Sequence, residues 1–268
     1  MQTIKAQIYS TLDEFHPQTV RQLFYQLVSS GVIEKTEAQY EGTVVRLAGE
    51  MREEGELPWD WIADSSRWIR KPTTYSSLEE AIEDTKQYYR RALWDNQPAY
   101  VEVWVEKEAL AGVLYEITRE WDVPLMVVRG FPSKAFVHDA ALAIEGNKKP
   151  AYLYYFGDHD PSGLAIWADI QNKIPRYAPD AEVTYERVAV TLGQVREYKL
   201  QTRPTKIEGN LHAKRFKGPS IEVDALPPPV LQQRVRESIE RHINKRQLKI
   251  TRMAEKSERE LLDRFKVG

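Results

Sequence analysis

The sequence predicts a protein of the α/β class, with an N-terminal helical domain, a parallel sheet with intervening helices, and a helical C-terminal extension. Helical periodicity fills the first 97 residues, whereas strand-like and helical segments alternate beyond Pro98. Such alternation implies a parallel sheet. The 268 residues are 42% hydrophobic and 29% charged, which is the profile of an ordinary globular protein with its own core.

Composition excludes several kinds of chemistry. The chain has no cysteine, so disulfides, thiolate metal sites and cysteine nucleophiles are ruled out. The N-terminal segment is amphipathic without an apolar signal core, and no run approaches the about 18 apolar residues of a membrane span. We therefore expect a cytoplasmic protein. The formal net charge of −2 favours no particular partner.

Three short helices are predicted at the start of the chain. The first, residues 2–15, carries a single apolar stripe. The second begins near Thr19 and ends at Gly31, and the third begins near Thr36. Together with the β-like extension LPWDWIADSSRWIRKP, they match a winged helix-turn-helix domain over residues 1–72. The stripe of the first helix consists of Ile4, Ile8, Leu12 and Phe15.

Charge indicates where this domain would contact nucleic acid. Glu37–Asp64 holds eight acids and two bases, and this acidic third helix favours a domain without a nucleic-acid role. If the domain binds DNA, Arg67, Arg70 and Lys71 are the better candidates for phosphate contacts. Three-helix packing without a nucleic-acid role is the alternative interpretation.

A charged helix predicted over residues 73–97 links this domain to the α/β part. Four strand patterns follow, and the first three each precede a helical pattern. The strands are YVEVWVEK, VPLMVVRGF, PAYLYYFGD and EVTYERVAV. In parallel sheets, ligands bind beyond the carboxyl ends of the strands, so the chemistry is expected there.

The last part of the chain is predicted to be a charged helix in one or two pieces. Pro227 to Pro229 are expected to block a helix start until about Val230. Gln194–Gly218 holds seven bases and two acids, and Val230–Gly268 holds eleven bases and six acids. The C-terminal third of the chain is therefore basic and could face an anionic polymer, although a solvated helix surface explains the same charge.

Three carboxylates fall at predicted strand ends. Glu106 ends the first strand, and Asp158 and Asp160 follow the third strand in FGDHDPSG, where Gly157 and Gly163 allow a tight turn. If these strands are neighbours, the acids meet at one sheet edge and need a cation to offset their repulsion. Oxygen ligands favour a hard cation, Mg²⁺. The alternative for either aspartate is an ordinary helix N-cap.

These motifs, in this order, resemble a known family. VEKEAL and GDHDPSG are similar to the acidic motifs of the Toprim domain, which topoisomerases, primases and some nucleases share. VRGFPSKAFVHDAA resembles the glycine-x-proline element of the topoisomerase VI A subunit, and RQLFYQL resembles the Arg-x-x-x-Tyr motif of its winged-helix domain. That family includes the meiotic double-strand-break transesterase. The chain most resembles its compact members, the topoisomerase mini-A proteins, over nearly its whole length.

The resemblance implies that Tyr25 is a nucleophile and that Arg21, four residues earlier, assists it. The helix pattern places Tyr25 roughly 130° from the centre of the apolar stripe, so we expect Tyr25 to be exposed and Phe24 to be buried. An unperturbed tyrosine has a pKa of about 10 and needs activation. A surface tyrosine without a catalytic role is the alternative.

The activity implied by the resemblance is cleavage of double-stranded DNA by transesterification, with a phosphotyrosyl link at the 5′ end. Mg²⁺ on Glu106, Asp158 and Asp160 would position the DNA backbone, and Glu106 would also handle protons. Family members work as dimers in which the tyrosine of one protomer faces the metal site of the other. Full A subunits depend on a separate ATPase, the B subunit. For this chain we expect association with the nucleoid or with a mobile element. No G-x-x-x-x-G-K-[ST] run is present here, so we do not expect strand passage by this chain alone.

The predicted organisation is a winged helix (1–72), a linker helix (73–97), a Toprim domain (98–229) and a C-terminal helical extension (230–268). Two other functions fit the same motifs. One is a Toprim nuclease that uses metal-bound water, and the other is a non-catalytic DNA-binding module. Further candidate phosphate contacts on the Toprim side are Arg129, Lys134, Lys206, Lys214 and Arg215.

Overall fold

The computed structural model describes residues 2–63, 72–205, 216 and 218–264. Two of the predicted phosphate contacts, Arg129 and Lys134, lie within these ranges, and both are exposed. The other six lie outside the described residues: Arg67, Arg70, Lys71, Lys206, Lys214 and Arg215.

The first two helices form where the sequence predicts them. Helix α1 spans Gln2–Phe15 and helix α2 spans Val20–Ser29. Thr19 caps α2 reciprocally with Gln22, whose side chain accepts from the Thr19 backbone N–H. Gly31 follows the helix at a φ of 72°, a conformation that glycine adopts without strain.

The third predicted helix is continuous but irregular. It consists of α3 (Glu37–Gln39), a π-helical segment (Tyr40–Val45) and α4 (Arg46–Glu53). A 3₁₀ turn at Trp59–Trp61 follows, and the Gln18 backbone pairs with the chain just beyond it. Half of the predicted wing, residues 64–71, lies outside the described residues. The core of this helical part includes Ile8, Leu12, Leu23, Phe24, Leu27, Val44, Leu47 and Met51.

The charged linker is helical over only part of the predicted length. Helix α5 spans Leu78–Tyr88 and is capped by Ser77. Beyond it, Leu93 and Trp94 turn into the core of the α/β part, and the Trp94 indole N–H donates to the Trp121 carbonyl at 2.7 Å. Helical periodicity in this segment is overridden by tertiary burial of two apolar side chains.

A four-stranded, wholly parallel sheet confirms the predicted mixed α/β class. The strands are β1 (Tyr100–Val105), β2 (Leu125–Val127), β3 (Ala151–Phe156) and β4 (Val183–Ala189). Their order is β2-β1-β3-β4, so β1 and β3 are neighbours. The register pairs Val105 with Phe156, which aligns the carboxyl ends of the two central strands.

Helices cover both faces of the sheet. Helices α6 (Ala111–Glu120) and α10 (Pro228–Glu240) pack in the core on one face. Helices α7 (Lys134–Asn147) and α8 (Pro161–Tyr177) pack in the core on the other face. The helix α9 (Leu192–Glu197) follows β4.

The chain ends in two helices, α10 and α11 (Lys245–Leu262). Helix α10 begins at Pro228, so the prediction of a start near Val230 was wrong. Prolines fit the first turn of a helix, where the missing N–H has no intrahelical partner. Within the described ranges, no helix is both long and apolar enough to cross a bilayer.

Candidate functional site

Two of the predicted acids meet at the carboxyl ends of β1 and β3. Glu106 directly follows β1, and Asp158 lies two residues beyond β3. The Asp158 backbone N–H donates to Glu106 Oε2 at 2.9 Å, and the Tyr155 hydroxyl donates to the same oxygen at 3.1 Å. The expectation that Glu106 and Asp158 share one sheet edge is therefore confirmed.

Asp160 and Asp158 have different local roles. Asp160 is the N-cap of α8, and its Oδ1 accepts from the Gly163 N–H at 2.8 Å. The N-cap alternative is therefore right for Asp160. Asp158 caps no helix. Its Oδ1 accepts from the Val223 N–H at 2.9 Å and lies 3.1 Å from the ammonium of Lys107.

Two glycines make room for the Glu106 carboxylate. A Cβ at Gly157 would lie 2.6 Å from Glu106 Oε2, and a Cβ at Gly163 would lie 3.0 Å from it. The Cβ at Gly157 would also lie 2.5 Å from the Tyr155 ring, and the Cβ at Gly163 would lie 2.3 Å from the Asp158 carbonyl oxygen. Any side chain at Gly157 would therefore disturb Tyr155, Glu106 or both, while Gly163 is needed mainly for the close approach of the Asp158 backbone.

Burial strongly affects these carboxyls. It raises the pKa of Glu106, against the opposing effects of the Asp158 N–H and Lys107. It also raises the pKa of Asp158, to about 7, because burial and the Glu106 charge outweigh Lys107. Paired acids of this kind hold either a proton or a cation near neutral pH.

The donor set is compatible with Mg²⁺. Within the described residues, no group of three or more His, Asp or Glu side chains has a geometry ready for a metal. Mg²⁺ commonly takes one or two protein carboxylates and completes its shell with water and phosphate. In the same residues, Glu106 Oε1 and Asp158 Oδ2 accept no hydrogen bond from protein, so each acid has an oxygen left for a cation.

Sequence reasoning missed three members of the site: Lys107, Glu222 and Asp224. The Lys107 ammonium lies 3.1 Å from Asp158 and 3.3 Å from Glu222, and it also pairs with Asp224. Burial alone would lower the pKa of Lys107, but Asp224, Asp158 and Glu222 raise it well above its ordinary value. The acidic pair in EVDAL, next to a basic segment, was the signal that could have found them.

Glu222 is the centre of an ion-pair network, which we call the Glu222 cluster. Its carboxylate lies 2.7 Å from Arg203, 3.3 Å from Lys107 and 3.5 Å from Arg21. Burial by itself would raise the pKa of Glu222, but Lys107, Arg203 and Arg21 lower it to about 2. Glu222 is therefore a permanent anion that joins the helical part to the edge of the sheet. The Glu222 cluster consists of Glu222, Arg21, Lys107 and Arg203.

Tyr25 is buried, with 4% of its surface exposed, so the prediction of an exposed tyrosine was wrong. The helical pattern identified one apolar face of α2, but α2 has a second buried face. The 3₁₀ turn Val223–Ala225 packs there, and Ala225 contacts the core of the helical part. Phe24 is buried as predicted, and its ring meets that of Tyr25 edge-on with centroids 5.6 Å apart.

The hydroxyl of Tyr25 faces Glu222. Burial raises the pKa of Tyr25, and the Glu222 charge and a hydrogen bond to Glu222 raise it further, against the effect of Arg21. Arg21 lies in the same network, and its guanidinium also stacks 4.7 Å from the centroid of the Tyr40 ring. Arg21 is thus close to Tyr25, as the helical spacing predicts, but burial and Glu222 together outweigh its effect on the pKa of Tyr25.

Of the predicted phosphate contacts, Arg129 lies at the same sheet edge as the acids. Its backbone N–H donates to the Glu106 carbonyl at 3.0 Å, while its side chain pairs with Glu108. Lys134 is the first residue of α7 and is exposed.

No protein-family model matches this chain, and no curated protein sequence matches it.

Proposed function

We propose that this protein is a Mg²⁺-dependent DNA-cleaving transesterase of the topoisomerase VI A type, in which an N-terminal winged helix carries Tyr25 and a Toprim domain carries the acids. One observation supports it above the others. The hydroxyl of Tyr25 connects to Asp158 at the sheet edge through Glu222 and Lys107. A nucleophile and an acidic strand end in one network are what phosphoryl transfer to tyrosine requires.

In the reaction, the Tyr25 oxygen attacks the phosphorus of a DNA phosphodiester and loses its proton. The bond from phosphorus to the 3′ oxygen breaks, and that oxygen takes up a proton as it leaves. By the family resemblance, the 5′ phosphate stays on the tyrosine. Glu106, whose pKa is raised by burial, is the proposed group that moves these protons.

The metal would be held by Glu106 and Asp158, with Asp160 next to them at the start of α8. When bound, Mg²⁺ neutralises charge that develops on the phosphate oxygens. The side chains then divide the remaining work. Arg21 stabilises the tyrosine anion, and Arg129 and Lys134 are proposed to hold the DNA backbone beside the site.

The partners follow from the same proposal. The substrate is double-stranded DNA, and the active form is a homodimer in which each tyrosine serves the acids of the other protomer. Because Tyr25 is buried against the turn Val223–Ala225 of its own chain, α2 would have to leave this turn for Tyr25 to reach the acids of the other protomer. Strand passage would require a separate ATPase subunit of the B type.

One observation favours a second candidate, a Toprim nuclease that hydrolyses DNA with metal-bound water. Tyr25 is buried, and burial and the Glu222 charge raise its pKa, which suppresses its nucleophilicity in this conformation. The acids at the strand ends would serve a water nucleophile equally well.

The deciding experiment incubates the purified protein with supercoiled plasmid and Mg²⁺, stops the reaction with detergent, and separates DNA with covalently attached protein. We expect covalent attachment in the wild type, none in Tyr25→Phe, and wild-type attachment in Tyr9→Phe. Tyr9 is the matched control because it lies on α1 in the same helical part and is 45% exposed.

Attachment that survives Tyr25→Phe contradicts the assignment of the nucleophile. Strand cleavage without any attached protein, unchanged in Tyr25→Phe, supports the nuclease instead. DNA binding with neither cleavage nor attachment supports a non-catalytic module.

A further inference from the structure

Three cations converge on a single buried carboxylate in the Glu222 cluster. The Glu222 side chain is 7% exposed, whereas those of Arg21, Lys107 and Arg203 are 32%, 25% and 41% exposed. The cations therefore reach solvent while the anion lies beneath them. This arrangement resembles an occupied anion site, with the anion supplied by the protein itself.

The two arginines are directed mainly at Glu222. Among the described residues, Arg21 has one other acid, the exposed Glu37 at 3.7 Å, and Arg203 has one other acid, Asp160 at 3.7 Å. Both distances exceed those to Glu222, which are 3.5 Å and 2.7 Å. If Glu222 moved away, no other carboxylate in the described part of the chain would lie as close to either arginine as Glu222 does now.

A fourth cation supports the same interpretation. The Lys35 ammonium lies 5.0 Å from the centroid of the Tyr25 ring. Burial lowers the pKa of Lys35, and Arg203 and Arg21 lower it further, while Glu222 opposes them. The positive charges around Glu222 repel one another, and this repulsion is costly unless an anion lies among them.

We propose that this group of cations is a binding site for a backbone phosphate of DNA, and that Glu222 fills the site until a phosphate replaces it. Carboxylate and phosphate oxygens both fit the arginine fork, so one can substitute for the other. The Tyr25 hydroxyl faces the same carboxylate, so the bound phosphate lies beside the proposed nucleophile. The inference rests on the proposed function for its substrate, which is DNA. It adds which cations hold the phosphate and names Glu222 as the group that excludes it.

The test measures binding of a short fluorescein-labelled DNA duplex by fluorescence anisotropy, in EDTA so that no cleavage occurs. We expect Glu222→Gln to bind about tenfold more tightly than the wild type, because the competing anion is gone while the hydrogen bonds can re-form. Glu37→Gln is the matched control. It removes an exposed charge from the same arginine and is expected to change binding by less than about twofold.

A second pair of variants keeps the test decisive if Glu222→Gln does not fold. Arg203→Gln is expected to weaken binding and to lower the slope of log K against log salt concentration by about one. Arg236→Gln is the control for this variant. It removes another partly exposed arginine, which pairs with Glu120, and is expected to change neither the affinity nor the salt slope. The salt slope reports a direct phosphate contact, which a purely structural arginine would not alter.

The proposal is overturned if folded Glu222→Gln binds no more tightly than the wild type, or if Arg203→Gln keeps the wild-type affinity and salt slope. Absence of duplex binding in every variant also overturns it. Because the assay contains no Mg²⁺, it is separate from the covalent-attachment assay. A gain of binding in Glu222→Gln without any tyrosyl–DNA product would support the phosphate site while contradicting the proposed transesterase.

Discussion

The hydroxyl of Tyr25 faces the carboxylate of Glu222, although the two residues are far apart in the chain. This contact joins the first helical part to the edge of the sheet. Burial raises the pKa of Tyr25, and the neighbouring Glu222 anion raises it further, because both disfavour the phenolate. The state described here is therefore one in which the tyrosine is protected.

Removing the Glu222 charge should lower the pKa of Tyr25. The Glu222 charge and hydrogen bond both raise that pKa, while Arg21 opposes them, so Glu222→Gln leaves Arg21 as the dominant charge. The measurement is NMR titration of tyrosine labelled with ¹³C at Cζ, with the signal assigned by its loss in Tyr25→Phe. Glu37→Gln should leave the titration unchanged, and an unshifted Tyr25 in Glu222→Gln would contradict the contact.

Lys107 should be essential for stability. It pairs with three buried acids, Asp158, Glu222 and Asp224. Lys107→Met removes this cation from Asp158 and Asp224, while Glu222 keeps Arg203 and Arg21. We expect a loss of about 3–5 kcal/mol in the free energy of unfolding by urea. Lys173→Met, which breaks a helical pair with Asp169, should cost less than about 1 kcal/mol. Equal losses in the two variants would contradict this account.

Glu102 should make stability depend on pH. It is buried in β1, where burial raises its pKa to about 7 despite hydrogen bonds at 2.8 Å from Tyr100 and Trp104. Because the folded-state pKa exceeds the ordinary value of 4.5, the folded protein binds more protons between these two values. The stability contributed by this group is complete below the lower value and is lost as the pH rises to about 7.

Glu102→Gln removes this titration. Between about pH 5 and pH 8, the wild type should lose about 2–3 kcal/mol in the free energy of unfolding relative to Glu102→Gln. Urea unfolding of both proteins at the two pH values measures the difference. Glu186→Gln, at an exposed acid on β4, should keep the wild-type dependence, and a Glu102→Gln variant that also keeps it would count against the raised pKa.

Gly157→Ala should disturb the Glu106 carboxylate and the Tyr155 ring that hydrogen-bonds to it, because the new Cβ would lie 2.6 Å from Glu106 Oε2 and 2.5 Å from the Tyr155 ring. We expect a loss of about 1–3 kcal/mol in unfolding free energy, together with weaker Mg²⁺ binding measured by calorimetry. Gly146→Ala is the control, since a Cβ there, in the last turn of α7, meets nothing within 4 Å. It should gain up to about 1 kcal/mol in stability and keep Mg²⁺ binding. Unchanged Mg²⁺ binding in Gly157→Ala would count against a metal role for Glu106.

Asp160 allows its cap role and its proposed metal role to be separated. Asparagine caps helices as well as aspartate, so Asp160→Asn should change the unfolding free energy by only a few tenths of a kcal/mol, whereas Asp160→Ala should cost about 1 kcal/mol. Both variants lose the charge, so both should lose Mg²⁺-dependent covalent attachment to plasmid. If Asp160→Asn attached to plasmid DNA as much as the wild type does, Asp160 would have only its role as a helix cap.

Local pattern predicted much of the fold. Strand-like runs alternating with helices indicated a parallel sheet, and Thr19 and Gly31 marked the limits of α2. Predictions from local pattern were wrong where tertiary contacts determine the structure. The linker helix ends early because Leu93 and Trp94 enter a distant core, and Pro228 and Pro229 fit the first turn of α10, with Pro227 as its N-cap.

The sequence by itself determined the chemistry available to this protein: oxygen ligands, no thiol, an acid at the end of each central strand, and a tyrosine one turn after an arginine. It also determined that Glu106 and Asp158 could meet, since parallel strands end at the same edge. Only the tertiary structure decided that Tyr25 is buried, that Lys107 pairs with Asp158, and that Glu222 lies between Tyr25 and Lys107. Helical periodicity reports one face of one element, whereas these contacts join segments far apart in the chain, and their burial sets the charges and pKa values of the site.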